Sequence, residues 1–384
     1  TGYQYDFINA EVLKDARVVN GRIVLPSGAD YAILVLPPQK TMRPEMLEIL
    51  SRLAGQGASL LGYAPETSPS NRDYPGCDDR ISQLAAENGM DGVSVTERRY
   101  GKGCIFCGIG IQEALSRLGV GPDLIIPAIP QEILFTHRVG DGFEFYFLSN
   151  LSENAVSGTF GFDVADRQPE LWNAETGEIR DLPLFEQRAG RTYVPLEFGP
   201  ADSWFIVFRK RVVVSNSGSD TNFPAFRKLQ EINCNWNVTF HPVYDAAREM
   251  TFGELTDWTQ NDDPYIRHFS GTATYKTNFE YRAGTEKNVW LDLGTVHALA
   301  DVTLNGQPFR TLWRPPYRVN ISEVLKEGYN TIEVVVTNCW LNRLIGDLQF
   351  GARKYTWAPY VDWNAETPLL PSGLIGPVTL LTGE

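Results

Sequence analysis

Five groups of residues in this 384-residue chain have types and spacings that could do chemistry. They are a cysteine pair, a set of scattered histidines, a knot of aspartates and two clusters mixing aromatic rings with arginine. Cys104-Ile-Phe-Cys107 has the CxxC spacing of a redox couple. With Cys107 as nucleophile at a strand–helix elbow, it would also suit an enzyme built on a glutaminase-like domain. A redox CxxC, however, sits at a helix N-terminus, where the thiolate is favoured. Here the pair lies inside an apolar strand pattern, GCIFCGIG (103–110), and residues three apart on a strand point to opposite faces. No Cys/His set has zinc spacing nearby. The expectation is two buried, structural cysteines. With Cys77, Cys234 and Cys339 they make an odd, sparse set, not a disulfide framework. The histidines, 137, 241, 268 and 297, fall in three different regions, and neither a G-x-S-x-G elbow nor a P-loop accompanies them.

Asp257, Asp262 and Asp263, with Asn261 among them, put hard oxygen ligands close together, as calcium requires. The EF-hand spacing and its glycine are missing and Pro264 follows, so a solvated loop is the reading adopted. No metal or cofactor site is assigned in this chain. The first aromatic–arginine cluster, Trp313-Arg314-Pro315-Pro316-Tyr317-Arg318, offers faces for a sugar ring and hydrogen bonds for its hydroxyls. It could equally be an extended edge stiffened by two prolines, with Trp313 and Tyr317 plugging a sandwich. The second, TNCWLNRLIGD (337–347), brings Asn338, Trp340, Asn342, Arg343 and Asp347 into one loop, where Arg343 and Asp347 can pair. Structure is the reading preferred for both. Carbohydrate contact through Trp313, Arg314, Tyr317, Trp340, Asn342 and Arg343 is the functional alternative.

The elements that must position these residues fall into three parts. In residues 1–130, YAILVLP (31–37) reads as a strand buried on both faces. Pro44 opens a helix whose Leu47, Leu50, Leu53 and Ala54 recur at helical spacing up to Gly55 and Gly57. The strand ASLLGY (58–63) follows, then a helix capped by Asp78-Asp79 and stopped at Asn88-Gly89, the strand at 103–110, a helix over 111–118 and the short strand LII (124–126). Alternating strands and helices predict a parallel, flavodoxin- or glutaminase-like α/β domain. Residues 131–212 show short strands with turns such as NAETGE (173–178) between them, which predicts a small antiparallel β-sandwich. Residues 213–230, opening on SNSGSDTN (215–222), read as a linker. Residues 231–384 give strands at 271–281, 288–294, 299–306, 330–338 and 377–382, with Asn305-Gly306 as a two-residue hairpin turn, and so predict a jelly roll.

A net charge of -13 opposes binding to nucleic acid or to an anionic membrane. No apolar stretch reaches the roughly 20 residues of a membrane-spanning helix. The first residues, TGYQYDFINAEVL, lack an initiator Met, a basic region and an apolar core, and read as the start of a trimmed or processed chain.

Several long motifs resemble one family. VVNGRIVLPSGADYAILVLPP (18–38), NRDYPGCDDRISQLAAE (71–87), FTHRVGDGFEFYFLSN (135–150) and PELWNAETGEI (169–179) are similar to the region after the catalytic barrel in α-L-rhamnosidases of glycoside hydrolase family 106. LTDWT (255–259), HFSGTATYKTNFEY (268–281), LDLGTVHALADVTLNG (291–306), TNCWLNRLIGD (337–347) and PSGLIGPVTL (371–380) continue the likeness in order. The last domain also resembles the galactose-binding-like jelly roll of family 2 glycosidases. The resemblance implies an inverting hydrolase whose glutamate acid and base sit in a (β/α)8 barrel N-terminal to these domains, with calcium assisting the parent enzyme. These residues have too few βα units to close such a barrel, so no catalytic residue is assigned. The family implies secretion or a periplasmic location and a rhamnose-containing plant glycan as partner. The expected role is the non-catalytic part of a glycosidase; the alternative is a stand-alone binding module for such a polysaccharide.

Overall fold

A computed structural model of the protein describes residues 2–63, 65–88, 97–128, 133–212, 221–243, 245–286 and 288–383. The chain is mostly β and divides into two compact units. The first comprises Thr1–Ile126 with Gly161–Ala165 and Ala189–Thr192; the second holds the remainder.

The first unit is built on a four-stranded sheet in the order Leu34–Val35, Ser59–Leu61, Gly103–Phe106, Glu97–Tyr100. The first three strands are parallel and the last is antiparallel. Pro44–Gln56 forms the expected helix, with Pro44 in its first turn and Gly57 as its C-cap. It buries Leu47 and Leu50 with Ile81 and Leu84 of the helix Gly76–Asn88 and with Leu60 and Ile105 of the sheet. Two local expectations are corrected. The run 31–37 is not one doubly buried strand: Asp30–Tyr31 pairs in a separate three-stranded meander, and Val35 is half exposed. Leu124–Ile125 does not join the parallel sheet; it pairs antiparallel with Gly161 and Phe162. Apolar content reveals a strand but not its partner. Asp78 and Asp79 lie in the first turn of their helix, which begins two residues before them, and Asp78 accepts the Ser68 amide at 2.7 Å. Gly89, read as that helix's stop, lies outside the described residues.

Within the second unit, a five-stranded antiparallel sheet runs Ile179–Asp181, Arg167–Trp172, Ser203–Arg211, Glu144–Asn150, Ile133–Val139. Its sole fully buried charge is Glu170, which takes two hydrogen bonds from Arg209 and an ion pair from Lys210 at 2.6 Å. Burial alone would raise this carboxyl; the two cations reverse that and hold it below the ordinary range. Most of SNSGSDTN lies outside the described residues. Asn222 at its end is buried and hydrogen-bonded to Leu184 and Pro195, and Phe226–Glu231, inside the stretch read as linker, is a strand paired with Thr379–Gly383.

The C-terminal residues form a β-sandwich. One sheet has six strands in the order Arg248–Phe252, Trp236–His241, Thr272–Tyr281, Gly328–Thr337, Leu299–Leu304, Gln307–Pro308. The other runs Phe226–Glu231, Thr379–Gly383, Val289–Asp292, Arg318–Asn320. Ala273, Tyr275, Thr277, Phe279 and Tyr281 alternate inward along the strand Thr272–Tyr281, as their spacing predicts. Val334, Leu291 and Leu380 complete the core from both sheets. Asn305 and Gly306 both have positive φ, 52° and 85°, the conformation of the expected hairpin turn. No described helix is long and apolar enough to cross a membrane.

The CxxC pair is unlinked. Burial and the neighbouring Glu97 carboxylate push the Cys104 thiol up to about 11, and Cys107 Sγ donates to the Gly62 carbonyl at 2.9 Å. Iodoacetamide at pH 8 is expected to modify the exposed Cys339 rapidly and Cys104 scarcely at all, because roughly one Cys104 thiol in a thousand is ionised there. Mass mapping of the native protein checks this; rapid stoichiometric labelling of the pair would refute the structural role.

Candidate functional site

The second aromatic–arginine cluster sits at one end of the C-terminal sandwich and hangs on a single buried hydroxyl. Ser372 is 1% exposed. Its Oγ accepts from Asn338 Nδ2 and Asn342 Nδ2, both at 3.0 Å, and donates to the Leu370 carbonyl. Its amide donates to Asp257 Oδ1 at 3.0 Å, and its carbonyl accepts the Trp258 amide. Asn338 then ties in the Gly271 amide and the Phe269 carbonyl, while Asn342 pairs with both the amide and the carbonyl of Leu370. Beneath, Trp258 Nε1 donates to the Tyr275 hydroxyl, and the next loop residue, Gly373, has φ 102° and no room for a side chain against the Trp258 ring. Four motifs distant in sequence, LTDWT, HFSGTATY, TNCWLN and PSGLIG, therefore meet at one point.

This hub fixes the helix Leu341–Gly346 and, through it, the candidate residues. Asn342 faces inward and is buried. Trp340, at the helix N-cap, is 46% exposed. Arg343 donates its amide to Ser270 Oγ and its Nε to Asp347 Oδ1 at 2.9 Å, the expected pairing. Asp347 Oδ2 accepts from the Tyr355 and Thr356 amides and from the Thr356 hydroxyl. Burial would raise the Asp347 carboxyl, but these donors and Arg343 outweigh it and hold it below the ordinary range. Trp340, Arg343, Tyr265, Tyr355 and Ser270 border a cavity of about 30 Å³, room for one or two small polar groups.

The first cluster is divided differently. Trp313 is 56% exposed, but Tyr317 is buried and donates its hydroxyl to the Ala298 carbonyl at 2.8 Å. Arg314 Nη2 lies 2.9 Å from both Glu175 Oε2 and Asp202 Oδ1, and Arg310 pairs with the other Glu175 oxygen. The side chains of Arg314, Glu175 and Asp202 are only 15, 14 and 7% exposed. Arg314 thus bridges a loop of the C-terminal sandwich to two turns of the five-stranded sheet. Glu175 belongs to NAETGE, whose sequence signals only a turn, and nothing local marks Asp202; their role exists only in three dimensions.

Asp257 and Asp263 cap short helical turns, accepting the Thr259 and Tyr265 amides, and Asp262 is fully exposed. Among the described residues no three acidic, histidine or cysteine side chains converge as a metal site, and the calcium grouping considered from sequence does not assemble. Ser372, Tyr265 and Tyr355 were not singled out by sequence. The PSGLIG motif containing Ser372 was the available signal; the tyrosines carry none.

Fold and loops together define a multidomain chain with glycoside-hydrolase features and a galactose-binding-like β-sandwich. Residues 1–187 match the family model for α-L-rhamnosidase of glycosyl hydrolase family 106, and residues 235–366 match the glycosyl hydrolase 2 galactose-binding domain-like model. The chain is similar to the solved rhamnosidase from Novosphingobium sp. PP1Y, with 34% identity and a TM-score of 0.81 over 98% of this chain and 36% of that one. A curated relative from Formosa agariphila, provisionally named a β-glucuronidase, is 22% identical over 99% of this chain and 53% of its own length. The resemblance drawn from the motifs is borne out, and the chain spans about a third to a half of these relatives.

Two outcomes follow. Arg314→Ala leaves two largely buried carboxylates without their shared cation and is expected to destabilise by about 2–4 kcal/mol, against less than about 1 kcal/mol for the exposed Trp313→Ala. Urea midpoints measure both. For Asp347, a carboxyl lowered in the folded state adds stability that is complete above its unfolded value near pH 4 and is lost as pH falls through the folded one. The stability gap between the protein and Asp347→Asn should therefore be constant from pH 7 to about 5 and close on further acidification.

Proposed function

We propose that this chain supplies the non-catalytic, supporting part of a carbohydrate-degrading glycoside hydrolase of the α-L-rhamnosidase kind, acting beside a catalytic barrel on a rhamnose-containing glycan. In this reading residues 1–130 form a flavodoxin-like domain, 131–212 a small sandwich and 231–384 a galactose-binding-like jelly roll, to which the strand Phe226–Glu231 also belongs, with the residues before that strand connecting the last two. The observation that carries it is the likeness to the solved rhamnosidase, which extends over nearly all of this chain and 36% of that one. Three acidic groups do not fit a glycosidase acid. A glycosidase acid needs a carboxyl held above its ordinary range. Glu170 and Asp347 are held below that range by their partners despite burial, and Glu231 is held below it by Lys228. Glu175 and Asp202, two carboxylates brought close together, are both occupied by Arg314.

A second reading, a binding module for rhamnose-containing polysaccharide, is favoured by the exposed indole faces of Trp313 and Trp340. The chain alone is expected to release no aglycone from an aryl α-L-rhamnoside. Hydrolysis that one carboxylate-to-amide change within these residues abolishes would overturn the supporting role. Calorimetric titration with rhamnose oligosaccharides tests the module, which fails if millimolar sugar gives no heat or Trp313→Ala leaves binding unchanged.

A further inference from the structure

The cavity beside Trp340 has a chemical bias. Its walls are mainly apolar, with Arg343, Ser270 and Tyr265 as hydrogen-bond donors among them. Arg343 is gripped from behind through Nε by Asp347, an anion that four hydrogen bonds hold in place, while its two terminal nitrogens make no hydrogen bond to the described residues. That leaves one edge of a rigid guanidinium fork free, the geometry that suits bidentate recognition of a carboxylate. Ser270 Oγ accepts the Arg343 amide, so its own hydrogen is available. The Tyr265 hydroxyl is buried with no hydrogen-bond partner among the described residues, a rare and costly condition for a polar atom unless something else satisfies it.

The surrounding charge and shape narrow the ligand. The Arg248 guanidinium lies 3.6 Å from the Tyr265 ring centroid and pairs with Asp263 at 3.5 Å. Arg343 and Arg353 stand 5.4 and 4.9 Å from the Tyr355 centroid. Asp245, also at the cavity, is the one lining side chain that brings a negative charge. Three arginines gathered on two aromatic walls stand out in a chain of net charge -13. The cavity, about 30 Å³ and partly open to solvent, has room for a carboxylate. A ring attached to that carboxylate would lie on the open side, where the half-exposed Trp340 presents a flat apolar face and Asp245 an acceptor for hydroxyls.

We infer that this end of the C-terminal sandwich is a subsite for an acidic sugar, a uronate, whose carboxylate enters between Arg343, Ser270 and Tyr265 while its ring stacks on Trp340. The inference rests on the glycan-directed role proposed above only in taking a sugar as the carrier of the carboxylate. Binding and hydrolysis are read separately, so either can fail alone.

Calorimetric titration of the whole chain with glucuronate and galacturonate oligosaccharides is the test, with the corresponding neutral glucose and galactose oligosaccharides, and acetate, as comparison arms. The expected result is saturable uronate binding at least tenfold tighter than either comparison. Tyr265→Phe should weaken it about fivefold without lowering the melting temperature, since the hydroxyl it removes has no partner in the free protein. Trp340→Ala should remove the preference for a uronate over acetate, and Arg343→Lys should weaken binding more than tenfold. Arg343→Lys bears on stability too, so Tyr265→Phe is the deciding variant. No heat with millimolar uronate, equal affinity for the neutral sugars, acetate binding as tightly as uronate, or an unchanged Tyr265→Phe would each overturn the inference.

Discussion

One end of the C-terminal sandwich depends on satisfying backbone groups that its loops bury. Where loops from four parts of the chain meet, amides and carbonyls leave the sheets and have no ladder partners. Unpaired, each would cost about 1–3 kcal/mol. Ser372, Asn338 and Asn342 replace the missing ladder with side chains, and the bonds from Asn338 and Asn342 join loops that would otherwise diverge. A half-satisfied network would be worse than an apolar plug, which is why the three residues act as a unit. Gly373 completes it sterically, since any side chain there would strike the Trp258 ring.

The same economy explains why residues that look like binding groups turn inward. Arginine beside tryptophan suits a sugar site, but a guanidinium is also the best available bridge between two carboxylates. Arg314 fills that second role, and its burial with Glu175 and Asp202 ties the C-terminal sandwich to the five-stranded sheet through charge. Such a buried triad adds little net stability over an apolar contact, yet it sets one alignment, because any other would strand a charge. Arg343 occupies an intermediate position: one edge is committed to Asp347 and the other is free.

Period and turn chemistry made much of the sandwich legible. The alternation from Ala273 to Tyr281, the Asn305-Gly306 turn and the Pro44 helix are local signals, and each holds in the structure. Pairing partners were not legible. Leu124–Ile125 reads as a strand of the preceding sheet and joins another, because an apolar triplet does not encode which edge it will meet. The Arg343–Asp347 pair could be read because four residues on one helical turn place side chains together. The Arg314–Glu175–Asp202 bridge could not, because Arg314 lies more than a hundred residues from both carboxylates. Tyr265 and Tyr355 were invisible for a similar reason: a tyrosine in a single helical turn or a loop has no periodic signature.

Rigidity at the hub bears directly on what the adjoining surface can recognise. Binding an anion through one arginine in water is weak, because the side chain loses rotamer freedom and both partners lose hydration. Those losses shrink when the guanidinium is already fixed and partly dehydrated before the ligand arrives. Asp347 fixes Arg343, the Tyr355 and Thr356 amides fix Asp347, and Ser372 fixes the helix that carries Arg343 through Asn342. The chain of support runs from the sandwich core, through Trp258 and Tyr275, to the guanidinium beside the cavity. Residues with no chemistry of their own thereby decide how selective the half-exposed Trp340 and the largely buried Arg343 can be.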